Sequence, residues 1–185
     1  MHVISTARIL DFDIENRPLS YWCADRPSAD ITAIAWSWIG EKQIHCYLLG
    51  EVDQIEILLA FCDAYAQADM VTGHYIRKHD LPIVNGALIE NGMDILGQKL
   101  TSDTKMDLVK RQDLPVSQEA LAAYLGVKAP KIQMTQADWR SANRLEPAGL
   151  ERTRKRVVRD VRQHKEMRAA LISRGLLKAP KLWTP

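Results

Sequence analysis

The stretch ILDFDIENRP, residues 9–18, constrains the fold more than any other part of the chain because apolar and acidic residues alternate along it. Successive side chains of a β-strand point to opposite faces, so the pattern predicts a strand with one apolar face and one acidic face. The acidic face would carry Asp11, Asp13 and Glu15. A row of like charges is costly unless it faces water or binds a cation. The alternatives are therefore a solvent-facing edge strand and a site for Mg²⁺ or Mn²⁺.

The composition is that of a folded globular protein. Of the 185 residues, 46% are hydrophobic and 26% are charged, which excludes wholesale disorder. We expect a single domain over residues 1–185, with a core of about 8–174 and a tail of 175–185. The sequence shows no apolar run long enough to span a membrane, no signal-peptide pattern and no Cys-x-x-Cys pair. These features predict a cytoplasmic, intracellular protein with reduced cysteines and no membrane partner.

Hydrophobic periodicity predicts the element order βββαβαβαα. The predicted strands are residues 8–14, 30–39, 43–49, 70–72 and 105–109. The predicted helices are residues 52–69, 81–90, 117–125 and 150–174, and residues 127–149 are predicted to form a long loop. The first three strands are expected to form an antiparallel meander, with Trp36 and Trp38 on a strand of the core. We therefore predict an α/β fold, a mixed five-stranded sheet flanked by helices, with a tail that is either loose or docked by Trp183.

Two further acids lie at positions where a carboxylate has chemical consequences. Asp80 lies between a predicted strand and a predicted helix, where it either caps the helix or contributes to a ligand site. On a projection of the last helix, Asp160 falls inside the apolar sector that contains Val157, Val161 and Leu171. An acid packed toward a core needs a partner, and other carboxylates can be partners only if a metal lies between them.

The three acidic motifs resemble those of the DEDD, or DnaQ-like, 3′-to-5′ exonuclease superfamily, whose fold is ribonuclease-H-like. LDFDIEN resembles the first motif, and RVVRDVRQH resembles the third. TGHYIRKHDLP resembles the second motif in the form found in the proofreading domains of family B DNA polymerases. The resemblance covers residues 8–172, including KMDL and SQEALAAYLGV. It implies that Asp13, Glu15, Asp80 and Asp160 are the catalytic acids and metal ligands. Asp11 competes with Asp13 for the first position, and its alternative is a strand residue that faces solvent.

The function that this resemblance implies is phosphodiester hydrolysis from a free 3′ end. Two divalent cations, Mg²⁺ or Mn²⁺, would be held by the acids, and nucleoside 5′-monophosphates would be released from single-stranded DNA by a two-metal-ion mechanism. The chain would be a free-standing, phage-type exonuclease or one that works beside replication or repair proteins. An RNA-directed enzyme of the same fold, a catalytically weakened nucleic-acid-binding module and an unrelated α/β domain remain alternatives.

The third motif departs from the family pattern at the positions that orient the attacking water. The family places a Tyr or a His before the last acid, whereas this chain has Arg156 and Lys155, neither of which is a base at neutral pH. His164, four residues after Asp160, is the candidate that could position water instead. Its alternative is a histidine hydrogen-bonded to Asp160 or to a backbone carbonyl. His79 is a further candidate.

Several residues are candidates for binding the substrate. His74 and Tyr75 of the second motif, together with a loop at Trp22, are expected to stack on terminal bases. Arg156 is a candidate for contacting the substrate. Eight Lys or Arg residues lie between 152 and 168, and this basic helix face either follows the phosphates of single-stranded DNA or is simply solvated.

Overall fold

A mixed six-stranded β-sheet with helices packed against it forms the centre of this computed structural model, which describes residues 7–18, 29–109, 113–128 and 132–185. The strands are β1 (Ile9–Pro18), β2 (Ala29–Trp38), β3 (His45–Leu48), β4 (Met70–Gly73), β5 (Lys99–Asp103) and β6 (Lys181–Trp183). The helices are α1 (Gln54–Gln67), α2 (Asp80–Glu90), α3 (Gln118–Tyr124), α4 (Gln136–Asn143) and α5 (Pro147–Ser173).

The strand order β3-β2-β1-β4-β5-β6 combines an antiparallel meander with parallel strands. β1 pairs antiparallel with β2, which pairs antiparallel with β3, while β4 and β5 run parallel to β1. This confirms the predicted mixed α/β fold, which is compatible with a ribonuclease-H-like sheet. The sheet has six strands instead of five because β6 pairs antiparallel with β5. The tail is therefore docked, and Trp183 is buried there.

The two faces of β1 have different neighbours, as the alternation of its residues predicts. Leu10, Phe12 and Ile14 pack in the main hydrophobic core together with side chains of α1 and α2. The acidic face is covered by α5, whose Val157 and Val161 pack on Ala33, Ala35 and Leu48 of the neighbouring strands. The alternative of a solvent-facing edge strand is therefore wrong, because β1 lies inside the sheet and a helix covers its acids.

Residues 127–149, which were predicted to be a loop, contain α4 and the first turn of α5. The helix α4 begins with a capping box in which the side chains of Thr135 and Asp138 bond each other's backbone N–H. Pro147 begins α5, where a missing N–H does no harm. Gly149 allows the two helices to touch, because a Cβ there would lie 2.3 Å from Ser141. In the described ranges, no helix is both long enough and apolar enough to cross a membrane.

The strand predicted at residues 105–109 is wrong. The fifth strand is Lys99–Asp103, and its polar sequence is held in place by parallel pairing with β4. Residues 104–107 form a turn instead. The Asp107 N–H donates to the Asp103 carbonyl at 2.8 Å, and the Asp107 carboxylate accepts from the Asp103 N–H at 2.9 Å. Leu108 then makes only an isolated bridge with Leu177.

Candidate active site

Three carboxylates from two distant parts of the chain converge where α5 crosses β1. Asp13, Glu15 and Asp160 each place one carboxylate oxygen within 4.8 Å of the others. Asp160 and Glu15 are buried, and Asp13 is half-buried. Glu15 lies at an irregularity in the β1–β2 register, between Glu15 and Asn16, and such bulges redirect side chains. Carboxylate oxygens at this spacing fit a hard divalent cation.

The convergence follows from two rows of polar side chains whose spacings match. The rows are Asp11, Asp13 and Glu15 on β1, and Arg156, Asp160 and His164 on α5. Two residues of strand rise about 6.6 Å and four residues of helix rise about 6 Å, so the rows stay in step. Glu15 is ion-paired with Arg156 at one end, and Asp11 is bonded to His164 at the other. Asp160, between them on the helix, therefore comes beside Asp13 and Glu15.

Arg156 places a guanidinium against two of these acids. Its Nε is ion-paired with Glu15 and lies 3.9 Å from a carboxylate oxygen of Asp160. The Nη1 donates to the Ile132 carbonyl at 2.9 Å, and the guanidinium carbon lies 5.1 Å from the centre of the Trp139 ring. The sequence-predicted substrate residue is thus part of the acidic cluster, where its charge offsets carboxylate repulsion.

Asp80 lies on the wall of the same cavity, outside the tight group of three acids. It is the first residue of α2, and its Oδ1 accepts from the Ile14 N–H at 3.3 Å. Its Oδ2 lies 3.4 Å from the His79 Nδ1, and this hydrogen bond is the main cause of a raised His79 pKa. Asp80 is therefore tied to the backbone of β1 between two of the clustered acids.

The structure places His164 away from the cavity wall, between Asp11 and Thr104. Its Nδ1 lies 2.7 Å from the Asp11 carboxylate and its Nε2 lies 2.9 Å from the Thr104 hydroxyl. Both ring nitrogens are thus engaged, which supports the alternative of a hydrogen-bonded histidine, with Asp11 as the partner, and gives no support to a water-positioning role. The interpretation of Asp11 as a solvent-facing residue is wrong, because the side chain is fully buried.

His74 continues this chain of hydrogen bonds to the cavity. Its Nδ1 lies 3.0 Å from the Thr104 hydroxyl and its Nε2 lies 3.0 Å from the Val116 carbonyl. Burial, with a further contribution from the charge of His164, lowers the pKa of His74 to about 4. The neutral ring must donate to the Val116 carbonyl from Nε2 and accept from Thr104 at Nδ1. The Thr104 hydroxyl also lies 2.9 Å from the His164 Nε2, so it links the two histidines.

Tyr75 has a backbone conformation that side chains rarely adopt. Its φ is +72°, in the left-handed region, which costs about 1–2 kcal/mol for a residue with a Cβ. The buried Asp103 stabilises it, because its Oδ1 accepts from the Tyr75 N–H at 3.0 Å and its Oδ2 accepts from the Arg77 N–H at 3.1 Å. Sequence reasoning missed Asp103. The signal that could have found it is an acid at the carboxyl end of a parallel strand.

The cavity between these groups has a volume of about 330 Å³. It is lined by the three clustered acids, Asp80, Arg156, His74, Tyr75, His79, Lys105 and Gln118, among others. Gln118 of α3 fixes one wall, because its Nε2 donates to the Asp160 carbonyl at 3.0 Å. The predicted substrate residues His74 and Tyr75 thus lie in the same cavity as the acids. The predicted loop at Trp22 lies outside the described residues, and Trp36 is buried as predicted.

Most of the basic side chains of α5 have a partner in the protein or are buried. Arg154 is paired with Glu51, Lys155 with Glu151 and Arg152 with Asp138. Lys165 donates to the Ser37 hydroxyl at 2.7 Å and to the carbonyls of Trp38 and Glu41, and Arg168 is buried. Among the cations of this face that are not buried, Arg159 and Arg162 have neither an ion-pair nor a hydrogen-bond partner within the described ranges. The ion pairs of Arg152, Arg154 and Lys155 lie at the surface, so a phosphate-following role for this face stays a prediction.

Comparisons with known proteins bear on the fold. A scan against protein-family models and a search of curated proteins found no match. Among solved structures, the chain is similar to the family B DNA polymerase from the hyperthermophilic archaeon Pyrobaculum calidifontis, with 15% identity and a TM-score of 0.67. The similarity covers 90% of this chain and 25% of the polymerase chain, so the chain spans about a quarter of that protein's length. At this identity it shows the fold alone, and it agrees with the predicted fold class.

Proposed function

We propose that this chain is a metal-dependent 3′-to-5′ exonuclease that hydrolyses phosphodiester bonds of single-stranded DNA. The observation that carries the proposal is the convergence of Asp13, Glu15 and Asp160, with one oxygen of each within 4.8 Å of the others. The first two acids come from β1, and the third comes from a helix about 145 residues later in the sequence. The cavity beside them is large enough for the end of a nucleic-acid strand.

The donor set fits Mg²⁺ or Mn²⁺, because it consists of hard carboxylate oxygens and contains no thiolate or imidazole. Asp13, Glu15 and Asp160 would hold the metal, and Asp80 on the same wall would complete the set of four acids. Bound divalent cations would supply an activated water and charge stabilisation at the phosphate. His74 and Tyr75 would bind the terminal nucleotide. Arg156 would contact the substrate once its bond to Glu15 is released.

A second candidate function is a nucleic-acid-binding module with weakened catalysis. The observation that favours it is the ion pair between Arg156 and Glu15, because this guanidinium competes with a metal for one of the acids. In addition, no cavity residue in the described part of the chain matches the family's water-orienting Tyr or His.

The test is a cleavage assay on single-stranded DNA and on RNA labelled at either end. With Mg²⁺ or Mn²⁺, 3′-labelled DNA should release labelled mononucleotide at once and 5′-labelled DNA should give a descending ladder. Asp13→Asn and Asp160→Asn should each abolish release, because they remove a ligand charge. Asp63→Asn is the matched control, since Asp63 lies on α1 and bonds Gln67, away from the cavity.

The outcomes separate the candidates. Release that persists in chelator, or in Asp160→Asn, would refute the metal-dependent mechanism. Binding of DNA without release would identify a binding module, and preferential release from RNA would identify the related RNA-directed enzyme.

A further inference from the structure

Lys105 places a positive charge on the cavity wall. It lines the same cavity as the acids, and it has no ion-pair partner within the ranges that the structure describes. The other cations nearby are paired: Arg156 with Glu15, and Arg77 with Asp107 at 2.5 Å. Lys105 is therefore a cation of the wall that can form an ion pair with a ligand without first breaking one inside the protein.

The charge of Lys105 acts on both histidines of the cavity. Burial is the main cause of the lowered His74 pKa, and the charge of Lys105 adds to it. At His79, where the hydrogen bond with Asp80 raises the pKa, the charge of Lys105 opposes that rise. The ammonium is thus close enough to influence two other side chains that line the cavity.

The position of Lys105 is fixed by the same groups that fix Tyr75. Its Nζ lies 3.7 Å from the centre of the Tyr75 ring, a cation–π contact. The backbone N–H groups of Lys105 and Tyr75 both donate to Asp103 Oδ1, each at 3.0 Å. Asp103 is fully buried, so one carboxylate holds the backbone from which the aromatic ring and the ammonium project. Such a preorganised pair loses little conformational freedom when a ligand binds.

We propose that Lys105 is a substrate-binding residue whose ammonium group binds a phosphate of the nucleic-acid end that enters the cavity. The inference rests on the proposed function and extends it to the recognition of the nucleotide. Asp13, Glu15 and Asp160 repel a phosphate that approaches them, so a cation on the wall, in addition to a bound metal, makes its entry more favourable. A lysine ammonium binds phosphate as a compact point charge.

The experiment compares a nucleotide with its phosphate-free counterpart. The probes are 2′-deoxythymidine 5′-monophosphate and thymidine, each titrated into the full chain in Mg²⁺ buffer and followed by ¹H–¹⁵N NMR. Wild type should bind the monophosphate more tightly than the nucleoside. Lys105→Met should weaken monophosphate binding about tenfold and leave thymidine binding unchanged, because it removes one charged contact. Lys105→Arg should retain most of the preference.

Lys99→Met is the matched control. Lys99 also lies over a tyrosine, with its Nζ 4.9 Å from the Tyr65 ring, and it donates to the Ala68 carbonyl at 2.6 Å, so it serves elsewhere in the fold. This control should bind both probes as wild type does. Equal monophosphate affinities in wild type and Lys105→Met, or no phosphate preference in wild type, would overturn the proposal.

Failure of this inference is distinguishable from failure of the proposed nuclease function. A protein that binds the monophosphate through Lys105 but releases no nucleotide from DNA supports the phosphate site and refutes the nuclease. A protein that cleaves DNA while Lys105→Met keeps the wild-type preference for the monophosphate refutes the phosphate site alone.

Discussion

Replacing Arg156 with glutamine should tighten the binding of a divalent cation, because the guanidinium and the metal compete for the same acids. Arg156 is ion-paired with Glu15, and its Nε lies 3.9 Å from an oxygen of Asp160. Only 15% of the Arg156 side chain is exposed, so solvent screens this charge incompletely. A cation entering the cluster must tolerate the guanidinium or displace it.

The expected change in the free energy of metal binding is set by whichever of these two routes costs less free energy. At an effective dielectric constant near 20, two unit charges 4 Å apart interact by about 4 kcal/mol, so a divalent ion at that distance would be repelled by about 8 kcal/mol. Displacement costs less, because the arginine loses mainly its charged hydrogen bond to Glu15, worth about 1.5–3 kcal/mol. Arg156→Gln should therefore strengthen metal binding by about 2 kcal/mol, or roughly 30-fold.

The assay is Mn²⁺ titration followed by calorimetry, with free Mn²⁺ counted by electron paramagnetic resonance. Arg159→Gln is the matched control, since it removes the same charge from α5 where the structure gives no acid partner within the described ranges. The control should change the affinity less than about twofold, as screened surface charges do. Arg156→Lys, which keeps the charge, should stay near wild type. An unchanged or weakened Mn²⁺ affinity in a folded Arg156→Gln protein would refute this reasoning.

Three further predictions concern stability. Gly73→Ala should lower the free energy of unfolding by at least about 2 kcal/mol in urea denaturation, because the new Cβ would lie 2.3 Å from the Ile76 side chain. Gly97→Ala is the control and should be neutral, because a Cβ there would have nothing within 4 Å. The His74 pKa is about 4 in the folded protein and 6.5 in the unfolded chain, so the unfolded state binds more protons between these two pH values. The free energy of unfolding should therefore fall by up to about 3 kcal/mol as the pH is lowered through this range. His74→Gln should remove that part of the pH dependence, and an identical profile in the variant would contradict the assignment. Asp11→Ala should cost about 1–3 kcal/mol by thermal or urea unfolding, because it leaves the buried Nδ1 of His164 without its hydrogen-bond partner, and an unchanged stability would refute the assigned role.

Local patterns were sufficient to predict most of the fold. The alternation in β1 placed its apolar and acidic residues on opposite faces, and the helical projection of α5 placed Asp160 on a buried side, where it is 2% exposed. The prediction missed α4 because the capping box at Thr135 and Asp138 was not recognised, although that pattern is local. It missed β5 because the sequence KLTSD has little strand propensity of its own and is a strand only through its parallel neighbour.

Local patterns predict the candidate site only in part. Which acids would meet was predictable in part, since Asp13, Glu15 and Asp160 all project from one face of their own elements. The roles of Asp11, His164 and Asp103 were not predictable, because each depends on a partner that is distant in sequence. His164 bonds a residue 153 positions away, and no periodicity along either element identifies that partner.

The sequence by itself determined which side chains share a face, because the periods of strand and helix are properties of the local backbone. Only the tertiary structure decided which face meets which. The packing of α5 across β1 aligns the two polar rows. As a result, Glu15 is paired with Arg156, Asp13 lies beside Asp160, and Asp11 is bonded to His164. If α5 were shifted by one helical turn along β1, the same sequence would pair the two rows differently. The side-chain spacing fixes the repeat of each row, whereas the packing of the whole core fixes the register between the rows.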